Sequence, residues 1–260
     1  MLLALDVGNS NTVLGLFSIA TSEAPARMVA DWRITTPYKQ TADELGVLLN
    51  TLFSMRGIKP EVVTGVAVSS VVPPLDATLR RVCETYFRTK PLFVEPGVRT
   101  GLPVLTDNPS EAGADRIVNC VAAFDLFGGP TIVVDMGTAT TFDVVSAAGE
   151  YIGGSLMTGI EISLEALTER GARLPKVELA PPKTVIAKNT IDAIRSGVVY
   201  GYAGAIDAIL RRLFDELGGH AEVIATGGLS SLVVPFTEEL DEVDDLLTLT
   251  GLRLIHEMNA

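Results

Sequence analysis

Histidine and cysteine are scarce in this sequence. Its 260 residues include two of each: His220, His256, Cys83 and Cys120. The cysteines form no Cys-x-x-Cys pair and lie among apolar positions, so we expect two buried free thiols in a reducing compartment. Neither histidine has a ligand partner at metal-binding spacing. These shortages argue against a zinc site and against acid–base catalysis by histidine.

Basic residues and long apolar runs are also lacking. Twenty lysines and arginines stand against 32 acidic residues, which gives a formal net charge of −12. That charge would repel a nucleic acid, so any anionic ligand must be held locally by backbone donors, a metal ion and single basic residues. No apolar run approaches the roughly 20 residues that cross a bilayer, and Asp6 interrupts the apolar start, which argues against a signal peptide. We expect a cytoplasmic protein without nucleic-acid or membrane partners.

The two common nucleotide-binding signatures, Gly-x-x-x-x-Gly-Lys-Ser/Thr and Gly-x-Gly-x-x-Gly, are absent, which excludes the P-loop and Rossmann interpretations. The chain has a repeat instead. Residues 2–17 and 131–145 each run from an apolar strand into Asp-x-Gly, a polar turn, a threonine and a second apolar strand. Three positions match at a constant spacing of 129 residues: Asp6 with Asp135, Gly8 with Gly137, and Thr12 with Thr141.

This repeat has the residues that phosphate binding requires. An aspartate at the end of a strand can hold a cation or its water shell, and the glycine lets backbone N–H groups turn toward phosphate oxygens. A single copy would more often be an ordinary hairpin turn, but two copies favour a duplicated phosphate-binding hairpin. Residues 227–231, directly after a predicted strand at 222–226, are a third candidate loop, although Gly-Gly after a strand is most often only a turn.

Alternating strand and helix patterns predict an α/β fold. Further strands are expected at 28–34, 62–72 and 91–94. Helices are expected after a capping box at Thr41, from Pro73, and at 110–127, 159–170, 190–217 and 244–258. We predict a domain boundary between residues 117 and 118, with the last helix packing back on the first domain. The helix 190–217 carries small residues that permit close contact within the fold or across a dimer, among them Gly197, Gly201 and Gly204.

Asp115 and Arg116 stand side by side within the predicted helix 110–127, between apolar flanks. Charges in such surroundings need a partner or a function. For the pair alone, an acid at a helix start beside a surface arginine is an equally good explanation. In a phosphate-binding protein without a suitable histidine, however, Asp115 can accept the hydroxyl proton of an acceptor, and Arg116 can bind the acceptor's anionic end. The combination favours a kinase.

Six segments in order resemble the type III pantothenate kinases: D-V-G-N-S-N-T, T-G-L-x-V-x-x-x-N-P-x-E-x-G-A-D-R-I, D-M-G-T-A-T-T, G-G-S-L, K-N-T-x-D-A-I-x-S-G and A-T-G-G. The resemblance covers nearly the whole chain. It implies two related actin-like, ribonuclease H-like domains with mixed sheets flanked by helices, and an active site in the cleft between them. The implied activity is ATP-dependent phosphorylation of pantothenate to 4′-phosphopantothenate, the first step of coenzyme A synthesis.

The resemblance also implies roles for single residues. Asp115 is the implied catalytic base, Asp135 the ligand of K⁺ or NH₄⁺, and Asp6 lies near a divalent ion such as Mg²⁺ that binds with the nucleotide. The implied pantothenate contacts are Gly113, Ala114, Asp115, Arg116 and Thr190. The implied ATP contacts are Asp6, Val7, Gly8, Asn9, Ser10, Asn11, Thr12, Val13 and Thr138. Members of the family are homodimers, which agrees with the small-residue helix face.

Two departures from the family pattern affect the substrate side. Thr106 stands where some relatives have a tyrosine that contacts pantothenate, and Thr158 stands where many have a proline before Gly159. Two other functions stay open: a nucleotide-binding accessory or regulatory protein that has lost turnover, and a phosphohydrolase of the same superfamily. The Asp115–Arg116 pair argues against the first, since a protein that only binds needs no base. ATP loss independent of pantothenate would favour the second.

Overall fold

The computed structural model describes residues 1–21, 24–240 and 242–260. The chain divides into two compact units. Unit 1 comprises Met1–Leu102, Asn108–Ala122 and Thr248–Ala260, and unit 2 comprises Pro103–Asp107 and Ala123–Leu247. Compact units and evolutionary domains need not share their limits, so the boundary between residues 117 and 118 stays a prediction.

Each unit is built on one five-stranded mixed sheet, and the two sheets have the same topology. Unit 1 has the order β3-β2-β1-β4-β5, and unit 2 has the order β8-β7-β6-β9-β10. In both sheets, the first three strands in this order pair antiparallel with one another, and each of the last two pairs parallel with the strand before it. The strands are β1 (Leu2–Val7), β2 (Asn11–Phe17), β3 (Met28–Thr35), β4 (Gly65–Ser70), β5 (Leu92–Phe93), β6 (Thr131–Met136), β7 (Ala139–Val145), β8 (Tyr151–Thr158), β9 (Glu222–Thr226) and β10 (Glu242–Val243). The duplication seen in two short segments thus extends to whole sheets.

Seven α-helices accompany the sheets in the described ranges: α1 (Ala42–Met55), α2 (Pro73–Val82), α3 (Ala114–Phe127), α4 (Ile160–Arg170), α5 (Thr190–Leu217), α6 (Ser230–Val233) and α7 (Leu247–Asn259). The predicted capping box is present: the Thr41 side chain accepts from the Glu44 N–H, and the Glu44 carboxylate accepts from the Thr41 N–H. Pro73 opens α2 as predicted, because a proline at a helix start sacrifices no hydrogen bond.

Three of the predicted helix and strand boundaries are wrong. The strand expected at 62–72 covers only Gly65–Ser70, since Pro60–Val62 forms a 3₁₀ turn. The helix expected from residue 110 starts at Ala114, because Pro109–Glu111 is a separate 3₁₀ turn. The last helix starts at Leu247 rather than at residue 244. The second correction matters for function, because it moves Asp115 into the first turn of α3.

The two faces of the unit 1 sheet are used differently. Leu3, Leu5 and Val7 belong to a hydrophobic core with residues of α1 and α2. Side chains alternate along a strand, so Asp6 lies on the opposite face. Helix α7 packs closely on that opposite face: a Cβ on Gly65 would stand 2.6 Å from His256 Nε2, and one on Gly15 would stand 2.8 Å from a methyl carbon of Leu249. Glycines therefore let this helix approach the strand that carries Asp6.

Unit 2 repeats this arrangement. Ile132, Val134 and Met136 of β6 enter a core that includes Ile206 and Leu210 of α5. By the same alternation, Asp135 lies on the opposite face of β6. Both repeated aspartates thus stand one residue before the end of the first strand of a sheet, turned away from the main core.

Candidate active site

The first hairpin forms a three-residue loop. Asp6 is half-buried near the end of β1, and the Gly8 N–H donates to the Asn11 carbonyl at 3.0 Å to close the turn. Asn9 and Ser10, at the tip of the loop, are exposed. Thr12 is buried directly behind the loop, with its Oγ1 3.2 Å from Thr36 Oγ1. The tip of the loop is therefore open to solvent, whereas Thr12, the second residue of β2, is buried behind it.

The second hairpin is one residue shorter. Gly137 and Thr138 alone separate β6 from β7, and the Gly137 N–H donates to the Ala139 carbonyl at 3.0 Å. The ladders show the consequence: Val7 faces Thr12 in the first hairpin, and the matching Met136 faces Thr140 in the second. The constant-spacing match of Thr12 with Thr141 is therefore wrong, and Thr140 is the equivalent residue.

Two glycines lie directly against this second hairpin. Gly227, with φ of +93°, packs on Asp135: an added Cβ would stand 2.6 Å from Asp135 Oδ1. Gly159 packs on the loop itself: an added Cβ would stand 2.3 Å from the Thr138 oxygen and 2.5 Å from the Gly137 oxygen. The third candidate loop, 227–231, is thus brought against the aspartate of the second hairpin, which the sequence pattern alone could not show.

A buried polar network runs along β7 on the same face as Asp135. Thr141 stands opposite Asp135 in the ladder and donates its hydroxyl to Asp143 Oδ2 at 2.8 Å. Asp143 is fully buried and also accepts from the Tyr151 hydroxyl at 3.0 Å. Hydrogen bonds to a carboxylate offset much of the cost of burying it. Sequence reasoning missed Asp143 and Tyr151; a charged residue between Phe142 and Val144 within a predicted strand was the available signal.

Asp115 is held at the start of α3. Its Oδ1 accepts the Arg116 backbone N–H at 2.8 Å, and it lies so close to Gly113 that an added Cβ there would stand 2.5 Å from it. The Gly113 carbonyl accepts the Ile117 N–H at 3.3 Å and so begins the helix. A carboxylate in this first turn is favoured by the helix dipole. Gly113 thus has a defined task, which is to leave room for one orientation of the Asp115 carboxylate.

The remaining predicted contacts have simpler surroundings. Thr190 is exposed at the first position of α5, directly after the capping residue Asn189. Thr106 Oγ1 is buried, with no hydrogen-bond partner among the described residues. The Thr158 carbonyl accepts from the Tyr202 hydroxyl of α5, which in turn lies 2.6 Å from Ser163 Oγ. That contact holds the end of β8, directly before Gly159.

The predicted site residues are divided between the units. Residues 6–13 and 113–116 belong to unit 1, whereas Asp135, Thr138 and Thr190 belong to unit 2. Across the described ranges, no group of three or more His, Cys, Asp or Glu side chains is arranged to hold a metal ion.

The thiols and histidines have no place in these loops. Cys83 and Cys120 are buried thiols that form no disulfide, as predicted. Burial, with a smaller contribution from Glu84, raises the pKa of the Cys83 thiol to about 12. Burial lowers the pKa of His256, against a smaller opposing effect of Glu257. None of the helices in the described part of the chain has the length and apolar character to cross a bilayer.

Comparison with known proteins identifies the family. A family model described as type III pantothenate kinase matches residues 2–212. The chain belongs to the type III pantothenate kinase family. The type III pantothenate kinase of Koribacter versatilis (strain Ellin345) is 56% identical over 100% of this chain and 96% of the relative. That of Myxococcus xanthus (strain DK1622) is 51% identical over 100% of this chain and 99% of the relative. The resemblance of the six motifs is confirmed.

Solved structures show the fold independently. The inorganic polyphosphate/ATP-glucomannokinase of Arthrobacter sp. strain KM aligns with a TM-score of 0.52 at 11% identity, over 100% of this chain and 99% of that chain. Ethanolamine utilization protein EutJ of Carboxydothermus hydrogenoformans aligns with a TM-score of 0.54 at 16% identity, over 97% and 89%. With the two mixed, helix-flanked sheets, these alignments confirm the predicted actin-like fold of this type III pantothenate kinase family member.

Proposed function

We propose that this chain transfers the γ-phosphoryl group of ATP to the primary hydroxyl of pantothenate, which yields 4′-phosphopantothenate and ADP in the first step of coenzyme A synthesis. Membership of the family carries the proposal. The orientation of Asp115 supports it, because Gly113 and the Arg116 N–H keep one carboxylate oxygen in a fixed position at the helix start. A protein that only binds nucleotide needs no catalytic base.

In this proposal Asp115 accepts the proton of the pantothenate hydroxyl while that oxygen attacks the γ-phosphorus and ADP leaves. Arg116 binds the pantothenate carboxylate, and Gly113, Ala114 and Thr190 complete the pantothenate contacts. Residues 6–13 and Thr138 bind ATP, chiefly through backbone donors. Most of the rate enhancement then comes from positioning and charge neutralisation rather than from proton transfer, which contributes roughly 10²- to 10⁴-fold.

The cation sites are part of the same proposal. Mg²⁺ commonly binds through one or two carboxylates together with substrate phosphates, and the single half-buried carboxylate of Asp6 fits that pattern. Bound there, the ion would neutralise charge on the phosphates. Asp135 is the proposed ligand of K⁺ or NH₄⁺; Gly227 packs so close to its carboxylate that an added Cβ would stand 2.6 Å from Oδ1.

The proposed enzyme is a cytoplasmic homodimer. Along α5, a Cβ built on Gly197, Gly201 or Gly204 meets no atom within 4 Å in the described part of the chain. A helix face of this kind allows a second helix to approach closely, and we assign that face to a second copy of the chain. Two buried thiols without a disulfide agree with a reducing compartment.

A coupled ATPase assay of the wild type, with and without pantothenate, tests the proposed reaction. We expect ATP consumption to depend on pantothenate, to fall when K⁺ is replaced by Na⁺, and to be abolished in Asp115→Asn without loss of thermal stability. ATP consumption that pantothenate does not change would contradict the kinase and favour a phosphohydrolase. Insensitivity to the monovalent cation would contradict only the role of Asp135, and full activity of Asp115→Asn only the role of Asp115.

A further inference from the structure

The segment that follows β3, residues 36–38, is hydrogen-bonded to the first loop, residues 8–10. The Thr36 hydroxyl donates to the Gly8 carbonyl, and the Thr36 N–H donates to the Ser10 carbonyl at 3.0 Å. The Tyr38 hydroxyl lies 2.8 Å from the Asn9 carbonyl, to which it donates, and 3.2 Å from Asn9 Oδ1. All three carbonyl groups of the loop are therefore taken by two residues from one neighbouring segment.

These hydrogen bonds fix the direction of the loop's N–H groups. In a trans peptide the C=O and the following N–H point in opposite directions across one plane. Because the Gly8 and Asn9 carbonyls point toward Thr36 and Tyr38, the N–H groups of Asn9 and Ser10 point away from them. Among the described residues, neither of these two N–H groups has a protein acceptor. Successive N–H groups turned outward in a tight loop form an anion-binding site.

Neither residue is needed there by the hydrophobic core. Tyr38 is 52% exposed, so its ring is not a core element. Thr36 is buried, but the single hydrogen of its hydroxyl goes to the Gly8 carbonyl, so the nearby Thr12 hydroxyl donates to Thr36 in turn. Two successive hydrogen bonds, from Thr12 to Thr36 and from Thr36 to the Gly8 carbonyl, thus connect the buried Thr12 to the backbone of the loop. The contacts of both residues are directed at the loop.

We infer that Thr36 and Tyr38 are positioning residues that orient the Asn9 and Ser10 N–H groups toward the phosphate groups of a nucleotide. The inference rests on the proposed function in one respect, namely that the anion bound by this loop belongs to ATP. Its physical basis is independent of the acceptor substrate. If Tyr38 releases the Asn9 carbonyl, that peptide plane can rotate, and an oxygen can turn toward the phosphate in place of an N–H.

Tyr38→Phe is the decisive variant, because it removes one exposed hydroxyl and leaves the ring. Tyr86→Phe is its matched control: the Tyr86 hydroxyl lies in the same unit and donates to Asp43 Oδ1 at 2.9 Å, on helix α1 rather than on the loop. We expect Tyr38→Phe to raise the ATP Kd from calorimetry and the ATP KM by roughly two- to tenfold, the equivalent of one hydrogen bond. The pantothenate KM, the melting temperature and the Tyr86→Phe values should match the wild type.

A second pair of variants tests Thr36. Thr36→Ser keeps the hydroxyl and should bind ATP as tightly as the wild type does. Thr36→Val removes the hydroxyl and should weaken ATP binding at least as much as Tyr38→Phe does. If Thr36→Val fails to fold, Tyr38→Phe and Thr36→Ser still decide the matter. An unchanged ATP Kd in Tyr38→Phe, or equal losses in Tyr38→Phe and Tyr86→Phe, would overturn the inference.

The failure of the inference can be told from the failure of the proposed function. A wild type that binds ATP but shows no pantothenate-dependent turnover contradicts the kinase and leaves the calorimetric comparison intact. A wild type that turns over normally alongside an unaltered Tyr38→Phe contradicts only the positioning role. A wild type that binds no ATP contradicts both.

Discussion

Replacing Gly113 with alanine would displace the Asp115 carboxylate while leaving its chemistry unchanged. An alanine Cβ would stand 2.5 Å from Asp115 Oδ1, whereas real Cβ contacts are essentially never shorter than 3.0 Å. The oxygen must therefore move by at least about 0.5 Å, and the carboxylate rotation that makes this room lengthens or breaks its contact with the Arg116 N–H. Oδ1 is the end of a side chain that can rotate, so it, rather than the helix, should give way.

The expected effect is on the rate and not on stability. A misplacement of about 1 Å in a catalytic group can cost roughly 10²-fold, so we expect kcat to fall by about ten- to a hundredfold. The lost hydrogen bond costs about 0.5–1.5 kcal/mol, and the change from glycine to alanine returns about 0.4–1 kcal/mol by restricting the unfolded chain. The two nearly cancel, so the free energy of unfolding should stay within about 1 kcal/mol of the wild type.

Steady-state kinetics and urea unfolding of Gly113→Ala check both halves of this prediction. Gly219→Ala is the control, because a Cβ at Gly219 meets nothing within 4 Å. We expect Gly113→Ala to lower kcat with little change in the ATP KM, and Gly219→Ala to leave both unchanged. A wild-type kcat in Gly113→Ala would refute the assigned role of the carboxylate orientation. A loss of several kcal/mol in unfolding free energy would show that the helix, rather than the side chain, had moved.

Two further predictions concern the second hairpin and α7. Gly159→Ala would press a Cβ on two backbone oxygens, which cannot rotate away, so we expect a loss of about 1–3 kcal/mol in unfolding free energy and a raised ATP KM; a wild-type value of both would contradict the assigned contact. Burial lowers the pKa of His256 from its ordinary 6.5, so the unfolded chain binds that proton more readily. Stability should therefore fall as the pH drops below about 6.5, and His256→Gln should flatten this dependence in urea titrations at pH 5.5–7.5; an identical slope would rule out His256 as the cause.

Local sequence signals predicted the elements well where one residue type decides the structure. The Thr41 capping box and Pro73 mark real helix starts, because side-chain caps and proline act within one turn. The start of α3 was wrong for a related reason: Pro109 begins a 3₁₀ turn as readily as an α-helix. The hydrogen bond from the Ile117 N–H to the Gly113 carbonyl shows where the helix begins.

Tertiary contacts explain what the sequence could not show at the loops. Counting a constant spacing cannot detect a one-residue deletion inside a hairpin, so Thr141 was matched with Thr12 although the ladder gives Thr140. Thr36 and Tyr38 were missed because their role depends on the third strand folding back beside the loop. An antiparallel three-stranded arrangement was the available signal, since it brings the end of β3 next to the start of β2.

The two copies of the hairpin differ in ways that favour unequal shares of the phosphate charge in the proposed reaction. The first hairpin has three loop residues, and their carbonyl groups accept hydrogen bonds from Thr36 and Tyr38. The N–H groups of Asn9 and Ser10 have no protein acceptor in the described part of the chain. The second has two loop residues, and a glycine packs on its carbonyls where no side chain fits. A longer loop with more outward donors can bind more of a triphosphate, whereas the shorter one is suited to a single contact and a cation at Asp135. The two units share one sheet topology, and the one-residue difference in loop length is where the two proposed tasks diverge.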